Sequence, residues 1–377
     1  MNTNTIVIIY NTTHGVLLFK AELIKSIKKN GYRVVVLASA DNYSEKLKEI
    51  VDEFHEIKLD SSGVNPIKDT YLIFQIYKIC KIIKPTVVLN FTIKPVIYGT
   101  FASILIGGVP VINTITGLGT AFISTGLANK VAKYFYKFTF KHAHLVFFQN
   151  PDDQQFFKEL NIITRDNTKL VSGSGVDLVK FKPTKNKKRN NIKILFIGRI
   201  IADKGIYELI ESAKIINKEY NNVTFVLMGM LGVKNRTSIS KSEVEDWVNE
   251  GIIDYVPFKD DIRCILGDSD LVVLPSYREG TPKTLIEAAS MEKPLIATDV
   301  PGCREVVIDE VNGFLCQVKN SVSLASKIKK FIELDYYRKI EMGKKSRELA
   351  EKKFDIIKVN NCYVNEINKI AEKNGKR

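Results

Sequence analysis

Residues 192–229 read IKILFIGRIIADKGIYELIESAKIINKEYNNVTFVLMG, and the fold turns on this stretch. Ile192–Gly198 is an unalternating run rich in β-branched residues, as expected of a strand buried on both faces. Lys204–Tyr220 carries its apolar residues at helical spacing, and Val223–Gly229 is a second buried run. A strand, a helix and a strand of this kind predict two parallel strands in a sheet covered on both sides.

The same alternation extends in both directions. Downstream, Ile252–Val256, Leu271–Leu274 and Leu295–Thr298 read as strands, Pro282–Met291 as a helix, and the chain from Ser321 onward as helical. Upstream, Ile6–Tyr10, Arg33–Ala38, Thr86–Asn90, Val109–Asn113 and Leu145–Gln149 read as strands. Val16–Asn30, Pro66–Lys84 and Leu127–His142 read as the helices between them. The basic, proline-containing stretch Lys180–Asn191 (KFKPTKNKKRNN) has the composition of a linker. The expected architecture is therefore α/β, with two doubly wound lobes and a helical tail. Ligands of such sheets bind beyond the carboxyl ends of the strands, which makes the cleft between lobes the expected site.

Composition narrows the function. The 377 residues are 45% hydrophobic and 26% charged, which suits a two-domain globular protein and excludes a disordered or collagen-like chain. A formal charge of +14 points to nucleic acid, an anionic membrane surface or a phosphorylated ligand. The five cysteines are scattered without any C-x-x-C pair, so neither a zinc site nor a disulfide framework is indicated. The amino terminus lacks a signal-peptide pattern, and the longest apolar stretch, near Thr100–Ile115, is broken by Gly107, Gly108 and Pro110. The expected location is the cytoplasm, at most against a membrane face.

Two segments carry chemistry. In PSYREGTPKTLIEAA (275–289), Thr281 is a good N-cap and Pro282 suits the first helical position. The free N–H groups of Lys283, Thr284 and Leu285 would then form an anion site, reinforced by the Lys283 ammonium. Glu279 before the helix and Glu287 within it are carboxylates suited to vicinal sugar hydroxyls. In FIGRIIADKG (196–205), Arg199 and Lys204 sit in a strand-to-helix loop and could neutralise a diphosphate leaving group.

With these residues in hand, PSYREGTPKTLIEAASMEKPLIATDVPGCREVV, GRIIADKG and SGSGVDLVKFKP resemble the retaining glycosyltransferases of family 4, which have the GT-B fold. The amino-terminal half, with VINTITGLGTAF and a basic aromatic helix, is similar to transferases that add N-acetylhexosamine or hexose to polyprenyl-diphosphate-linked saccharides of bacterial surface polysaccharides such as O-antigen and capsule. The resemblance implies an acceptor-binding lobe over 1–180, a linker over 181–191 and a nucleotide-sugar-binding lobe over 192–355. It also implies a helix over 356–377 that returns to the first lobe. Arg199 and Lys204 would hold the donor diphosphate. Glu279 would contact the transferred sugar, with Gly280, Thr281, Lys283 and Thr284 around sugar and phosphate, and Glu287 would bind the ribose. Thr12–Gly15 would approach the donor phosphates and the acceptor, Gly15 by allowing close backbone approach. His14 is either an acceptor-side contact or an ordinary loop histidine. The implied reaction is substitution with retention, without metal or other cofactor, the nucleotide sugar (UDP-linked by family frequency) being a co-substrate.

Two residues depart from the family pattern. Thr116 stands where many relatives place a histidine near the transferred sugar, and Pro257 stands where relatives often have glycine beside the base. His142 and His144 end a helix, where the dipole favours a cation. Asp268-Ser-Asp270 has D-x-D form but precedes a strand, at the end away from the site, and is rejected as a metal site.

Lys130, Lys133, Lys137 and Lys141 share one face of Leu127–His142, beside an apolar stripe of Val131, Tyr134, Phe135 and Phe138. Such a helix either lies on an anionic inner-membrane surface or packs its stripe on the sheet and solvates its lysines. The rival readings are a sugar-nucleotide 2-epimerase of the same architecture, against which the paired glutamates argue, and a nucleic-acid-binding protein, for which no recognition pattern is present.

Overall fold

The computed structural model describes residues 4–59, 65–117, 127–184, 190–233 and 235–375. The chain divides into one unit of Met1–Ser174 with Ile357–Arg377 and another of Gly175–Ile356.

Among the described residues, the first unit contains strands β1 (Thr5–Thr12), β2 (Arg33–Ser39), β3 (Glu53–Glu56), β4 (Val87–Phe91), β5 (Val111–Ile115), β6 (Leu145–Phe148) and β7 (Thr168–Leu170). They form one sheet in the order β3-β2-β1-β4-β5-β6-β7, with every pair parallel. Its helices are α1 (Thr13–Lys29), α2 (Ser44–Lys48), α3 (Pro66–Ile83), α4 (Ile93–Leu105), α5 (Leu127–His142) and α6 (Pro151–Glu159). In the second unit, β8 (Ile192–Arg199), β9 (Val223–Met230), β10 (Asp254–Pro257), β11 (Leu271–Leu274), β12 (Leu295–Thr298) and β13 (Gly313–Cys316) form a parallel sheet in the order β10-β9-β8-β11-β12-β13. It carries α7 (Ile206–Glu219), α8 (Lys241–Asn249), α9 (Arg263–Gly267), α10 (Lys283–Ser290), α11 (Ser321–Glu333) and α12 (Tyr336–Lys353). The last helix, α13 (Ile356–Gly375), packs in the first unit.

Pleating explains how unalternating strands are used, because successive side chains point to opposite faces. Ile6 and Ile8 of β1 join Val16, Leu23 and Ile27 of α1 and Val359, Tyr363 and Ile367 of α13. Val7 and Ile9, one residue out of phase, join Leu72 and Ile76 of α3 and Ala102 of α4. Both faces of the sheet are thus covered, as the sequence pattern requires.

In each sheet the strand order reverses once, between β1 and β4 and between β8 and β11. Loops leaving the carboxyl ends of two adjacent strands diverge at such a point and leave a crevice, which is where ligands of open α/β sheets bind.

The structure also revises the sequence reading. β3 and β7 escape the pattern because they are short, polar edge strands (EFHE and TKL) without an apolar run. The apolar stretch Thr100–Ile115 is shared between the end of α4 and β5. Residues 175–181, assigned above to the first lobe and the linker, lie in the second unit. Phe181 is buried there, and the carbonyls of Leu178 and Phe181 accept hydrogen bonds from the Arg347 guanidinium of α12 at 3.2 and 3.1 Å. Residues 185–189 of the linker lie outside the described residues.

Candidate active site

The reversal point of the second sheet gathers three loops. After β8, Ile200 and Ile201 are buried, and the chain closes a single 3-10 turn, Ala202–Lys204, ending at Gly205 with φ +72°. A Cβ on Gly205 would stand 2.1 Å from the Pro275 carbonyl oxygen, so only glycine lets this turn lie against the loop after β11. The two loops are also stitched by the Tyr277 N–H, which donates to the Asp203 carbonyl at 2.9 Å. The third loop, after β12, arrives through Gly302 (φ +81°), where a Cβ would stand 2.2 Å from the Gly280 carbonyl oxygen. The Thr298 hydroxyl donates to the Ser276 carbonyl beneath it.

This stitching brings the Lys204 ammonium directly onto the Glu279 carboxylate in a pair whose side chains are 18% and 13% exposed. Such a pair balances charges that desolvation would otherwise make costly, and it leaves a cation and an oxygen acceptor side by side. Arg199 ends β8, is exposed, and forms no ion pair with a described residue. Cys303 is buried close by. Burial, followed by the negative charge of Glu279, raises its thiol pKa well above the ordinary value, so the thiol is inert.

Helix α10 begins one residue later than expected. Pro282 occupies the cap position with extended ψ of 117°, and the Thr281 hydroxyl donates to the Gly280 carbonyl at 2.9 Å. The expected Thr281 N-cap is thereby corrected. Proline fixes φ but has no side-chain acceptor, so no side-chain cap closes the helix. The first helical hydrogen bond runs from Ile286 N to the Pro282 carbonyl, so the N–H groups of Lys283, Thr284 and Leu285 precede the ladder. Glu287, only 5% exposed, has the Lys283 ammonium 3.7 Å away. Burial raises its carboxyl pKa, while Lys283 and Lys180 oppose the rise.

The reversal point of the first sheet is built differently. β1 runs through Thr12, whose hydroxyl caps α1 by accepting the Gly15 N–H at 3.1 Å. Thr12–Gly15 is therefore a direct strand-to-helix junction, with Thr13 already the first residue of α1. Gly15 is required by the Tyr10 ring, since a Cβ there would stand 2.4 Å from a ring carbon. From the loop after β2, the Asp41 carboxylate accepts the Thr13 hydroxyl, the His14 N–H at 2.9 Å and the Tyr43 N–H at 2.9 Å. The His14 ring stacks on Tyr43, with centroids 4.3 Å apart and planes 18° off parallel. Neither Asp41 nor Tyr43 was singled out in the sequence, where only a polar turn after a strand marks them. The Thr92 hydroxyl of the loop after β4 donates to Asn11 at 2.7 Å, tying the two sides of the crevice together. Thr116, just past β5, is half-buried.

Other expected features fall elsewhere. Asp268 and Asp270 pair with the Lys193 ammonium and its N–H at the amino end of β8 and β11, opposite the three loops. Among the described residues no cluster of three His, Cys, Asp or Glu side chains could hold a metal. Pro257 ends β10 beside Gly229 of β9. His142 lies in the last turn of α5 with Nδ1 2.8 Å from the Phe138 carbonyl, whereas His144 lies beyond the helix. Partial desolvation, followed by Lys373 and other nearby cations, lowers the His144 pKa, which corrects the expectation of a dipole-favoured imidazolium. On α5, Lys137 and Lys141 are exposed and Lys133 is half-buried, while the Lys130 side chain lies outside the described residues. The apolar stripe divides. Phe135 and Phe138 pack on Phe101 of α4, Val131 and Tyr134 face solvent, and the sheet is met instead by Tyr136 and Phe140. Among the described residues no helix is long and apolar enough to cross a membrane.

The two doubly wound parallel sheets, each reversing its strand order once, have the GT-B fold of glycosyltransferases. The chain belongs to the family described as glycosyl transferases group 1, whose model matches residues 179–352, with a glycosyl transferase 4-like model over residues 8–150. It is 30% identical over 276 residues to the Escherichia coli UDP-Gal:alpha-D-GlcNAc-diphosphoundecaprenol alpha-1,3-galactosyltransferase, covering 68% of this chain and 69% of the relative. It is 26% identical over 331 residues to the Campylobacter jejuni N,N'-diacetylbacillosaminyl-diphospho-undecaprenol alpha-1,3-N-acetylgalactosaminyltransferase, covering 84% of this chain and 86% of the relative. The same fold is seen in the Anabaena protein HepE in complex with UDP, with a TM-score of 0.76, 19% identity, and coverage of 97% of this chain and 100% of that one.

Proposed function

We propose that this glycosyltransferase moves an N-acetylhexosamine or hexose from a UDP-linked donor, with retention, to a polyprenyl-diphosphate-linked saccharide in surface-polysaccharide synthesis. The observation that carries the reading is the direct Lys204–Glu279 pair beside the start of α10. It supplies a cation for a leaving diphosphate and an acceptor for sugar hydroxyls at one place. The names of the E. coli and C. jejuni relatives support a diphosphoundecaprenol-linked acceptor, and the first of them supports a UDP donor.

In this reading Arg199, Lys204 and the first N–H groups of α10 stabilise the charge that develops on the departing diphosphate. Glu279 orients the sugar, with Gly280, Thr281, Lys283 and Thr284 around it, and Glu287 receives the ribose hydroxyls. The bond from the anomeric carbon to the phosphate oxygen breaks, and the acceptor hydroxyl oxygen bonds that carbon on the same face. The hydroxyl proton passes to the leaving phosphate oxygen, so the protein need supply no separate base. Gly15, His14 and Thr116 are the acceptor-side groups, and the exposed lysines of α5 face the anionic membrane in which such an acceptor resides.

The test is a panel of UDP-, GDP- and ADP-sugars with a polyprenyl-diphosphate-linked saccharide, with products read by mass spectrometry and NMR. Transfer from one UDP-α-sugar to an α-linked product is expected. Activity with only another nucleotide would overturn the donor, and a β-linked product would overturn retention.

A further inference from the structure

Helix α3 has two apolar faces. Leu72, Ile76 and Cys80 are buried on the sheet. On the other side Ile67, Tyr71, Phe74 and Ile82 follow one another at helical spacing and are 83%, 54%, 49% and 82% exposed. Pro66, Ile67, Thr70, Tyr71 and Phe74 line a shallow apolar depression at its start. One exposed isoleucine needs no explanation, but a strip running about 22 Å along a helix does.

Charge decides what covers it. The Lys78 ammonium lies 4.6 Å from the Phe74 ring centre and Lys81 lies 5.4 Å from that of Tyr77. Helix α6 covers the same face of the sheet beside β6 and carries Asp152, Asp153 and Glu159, whereas α3, α4 and α5 form a contiguous row in which α4 packs against both of the others. The three helices of that row hold eight lysines and one acidic residue, Asp69, whose carboxylate is taken by Lys94 at 3.0 Å. On the opposite face α1, α2 and α13 mix lysines with Glu22, Glu45, Glu366 and Glu372. Leu105 on α4 and Val131 and Tyr134 on α5 are further exposed apolar side chains in this row of helices.

Aliphatic and aromatic side chains set among ammonium groups match the interfacial zone of a bilayer. Apolar groups enter the acyl boundary, tyrosines sit at headgroup level, and lysines meet anionic headgroups. A second copy of this face would bring like charges together, and a nucleic acid offers nothing to Ile67 and Ile82. We infer that the outer surface of α3, continuous through α4 with α5, is the docking face for an anionic lipid bilayer. The inference rests on the proposed function for where the acceptor lies. Vesicle binding tests it separately from transfer, so each can fail alone.

The full chain is sedimented with vesicles of phosphatidylcholine, with or without one-third phosphatidylglycerol, at low and high salt. The variants are Ile67→Ser/Tyr71→Ser/Phe74→Ser, Lys78→Glu/Lys81→Glu and, on α5, Lys133→Gln/Lys137→Gln/Lys141→Gln. Either α3 variant is expected to lower partitioning to anionic vesicles by at least about ten-fold, with unchanged melting temperature and circular dichroism. Wild-type binding by both α3 variants would overturn the inference. So would a dimer in sedimentation that the α3 variants dissolve, because the strip would then be covered by a second copy.

Discussion

Lys204 and Glu279, 75 residues apart in the chain, meet as a direct ion pair at the point where the second sheet reverses its strand order. The pair is mostly buried, so its two halves are unequal to lose and to replace. Lys204→Ala or Glu279→Ala leaves a partner charge uncompensated and should cost about 3 kcal/mol of stability, read by urea denaturation. Lys204→Met/Glu279→Gln should recover most of that stability. Transfer should still fall by at least ~100-fold in all three variants, because an uncharged pair stabilises no leaving group. Near-normal turnover in the stable double variant would remove the pair from the chemistry.

Glu287 links stability to pH in a direction opposite to most carboxylates. Its pKa is raised in the folded protein, so between the ordinary carboxylate pKa and that raised value the native state binds more protons than the unfolded state. Its contribution is therefore fully present at acid pH and is lost as pH rises through that window. Glu287→Gln should melt at a higher temperature than wild type at pH 8, with the difference shrinking toward pH 4. If Glu287 binds the ribose, the variant also raises the donor KM. Equal pH dependence of melting in the two proteins would refute the first statement.

Gly205 and Gly302 hold three loops together. Both have positive φ, and a methyl group at either would strike a carbonyl oxygen. Gly205→Ala and Gly302→Ala should each destabilise by roughly 1–3 kcal/mol and displace the segment that carries Glu279. Activity should fall further than stability explains, and urea midpoints compared with kcat at a temperature where both variants are folded separate the two effects.

Asp41 is the tertiary support of the α1 amino terminus and of the histidine stacked beside it. Asp41→Ala removes acceptors for the Thr13 hydroxyl and the His14 and Tyr43 N–H groups and should cost about 2 kcal/mol. His14→Ala leaves those backbone bonds in place and should leave stability nearly unchanged. If His14 faces the acceptor, it raises the acceptor KM while the donor KM stays put. A donor-only effect would move His14 to the other substrate.

Strand–helix alternation was legible because apolar periodicity is a local property. The strand Leu271–Leu274 and the helices Pro66–Ile83 and Leu127–His142 were read within a residue of their ends. Edge strands β3 and β7 were not, because half-exposed polar residues leave no apolar run to detect. Glu279, Lys204 and Arg199 were recognisable only through motif context, since a lone glutamate or lysine in a loop has no local signature. Asp41 and Tyr43 had no such context, and their role emerged only once β2 was seen beside β1.

The sequence by itself determined two parallel sheets covered on both faces, since side-chain period and β-branching are set residue by residue. Only the tertiary structure decided which distant groups meet. Lys204 reaches Glu279 because β8 lies beside β11, and Glu287 titrates high because it is buried in the folded second unit. The apolar strip of α3 stays exposed because α4 packs beside that helix, and α5 beside α4, with neither lying over it. Adjacency of strands and burial of charge are properties of the whole packed chain, which no window of sequence contains.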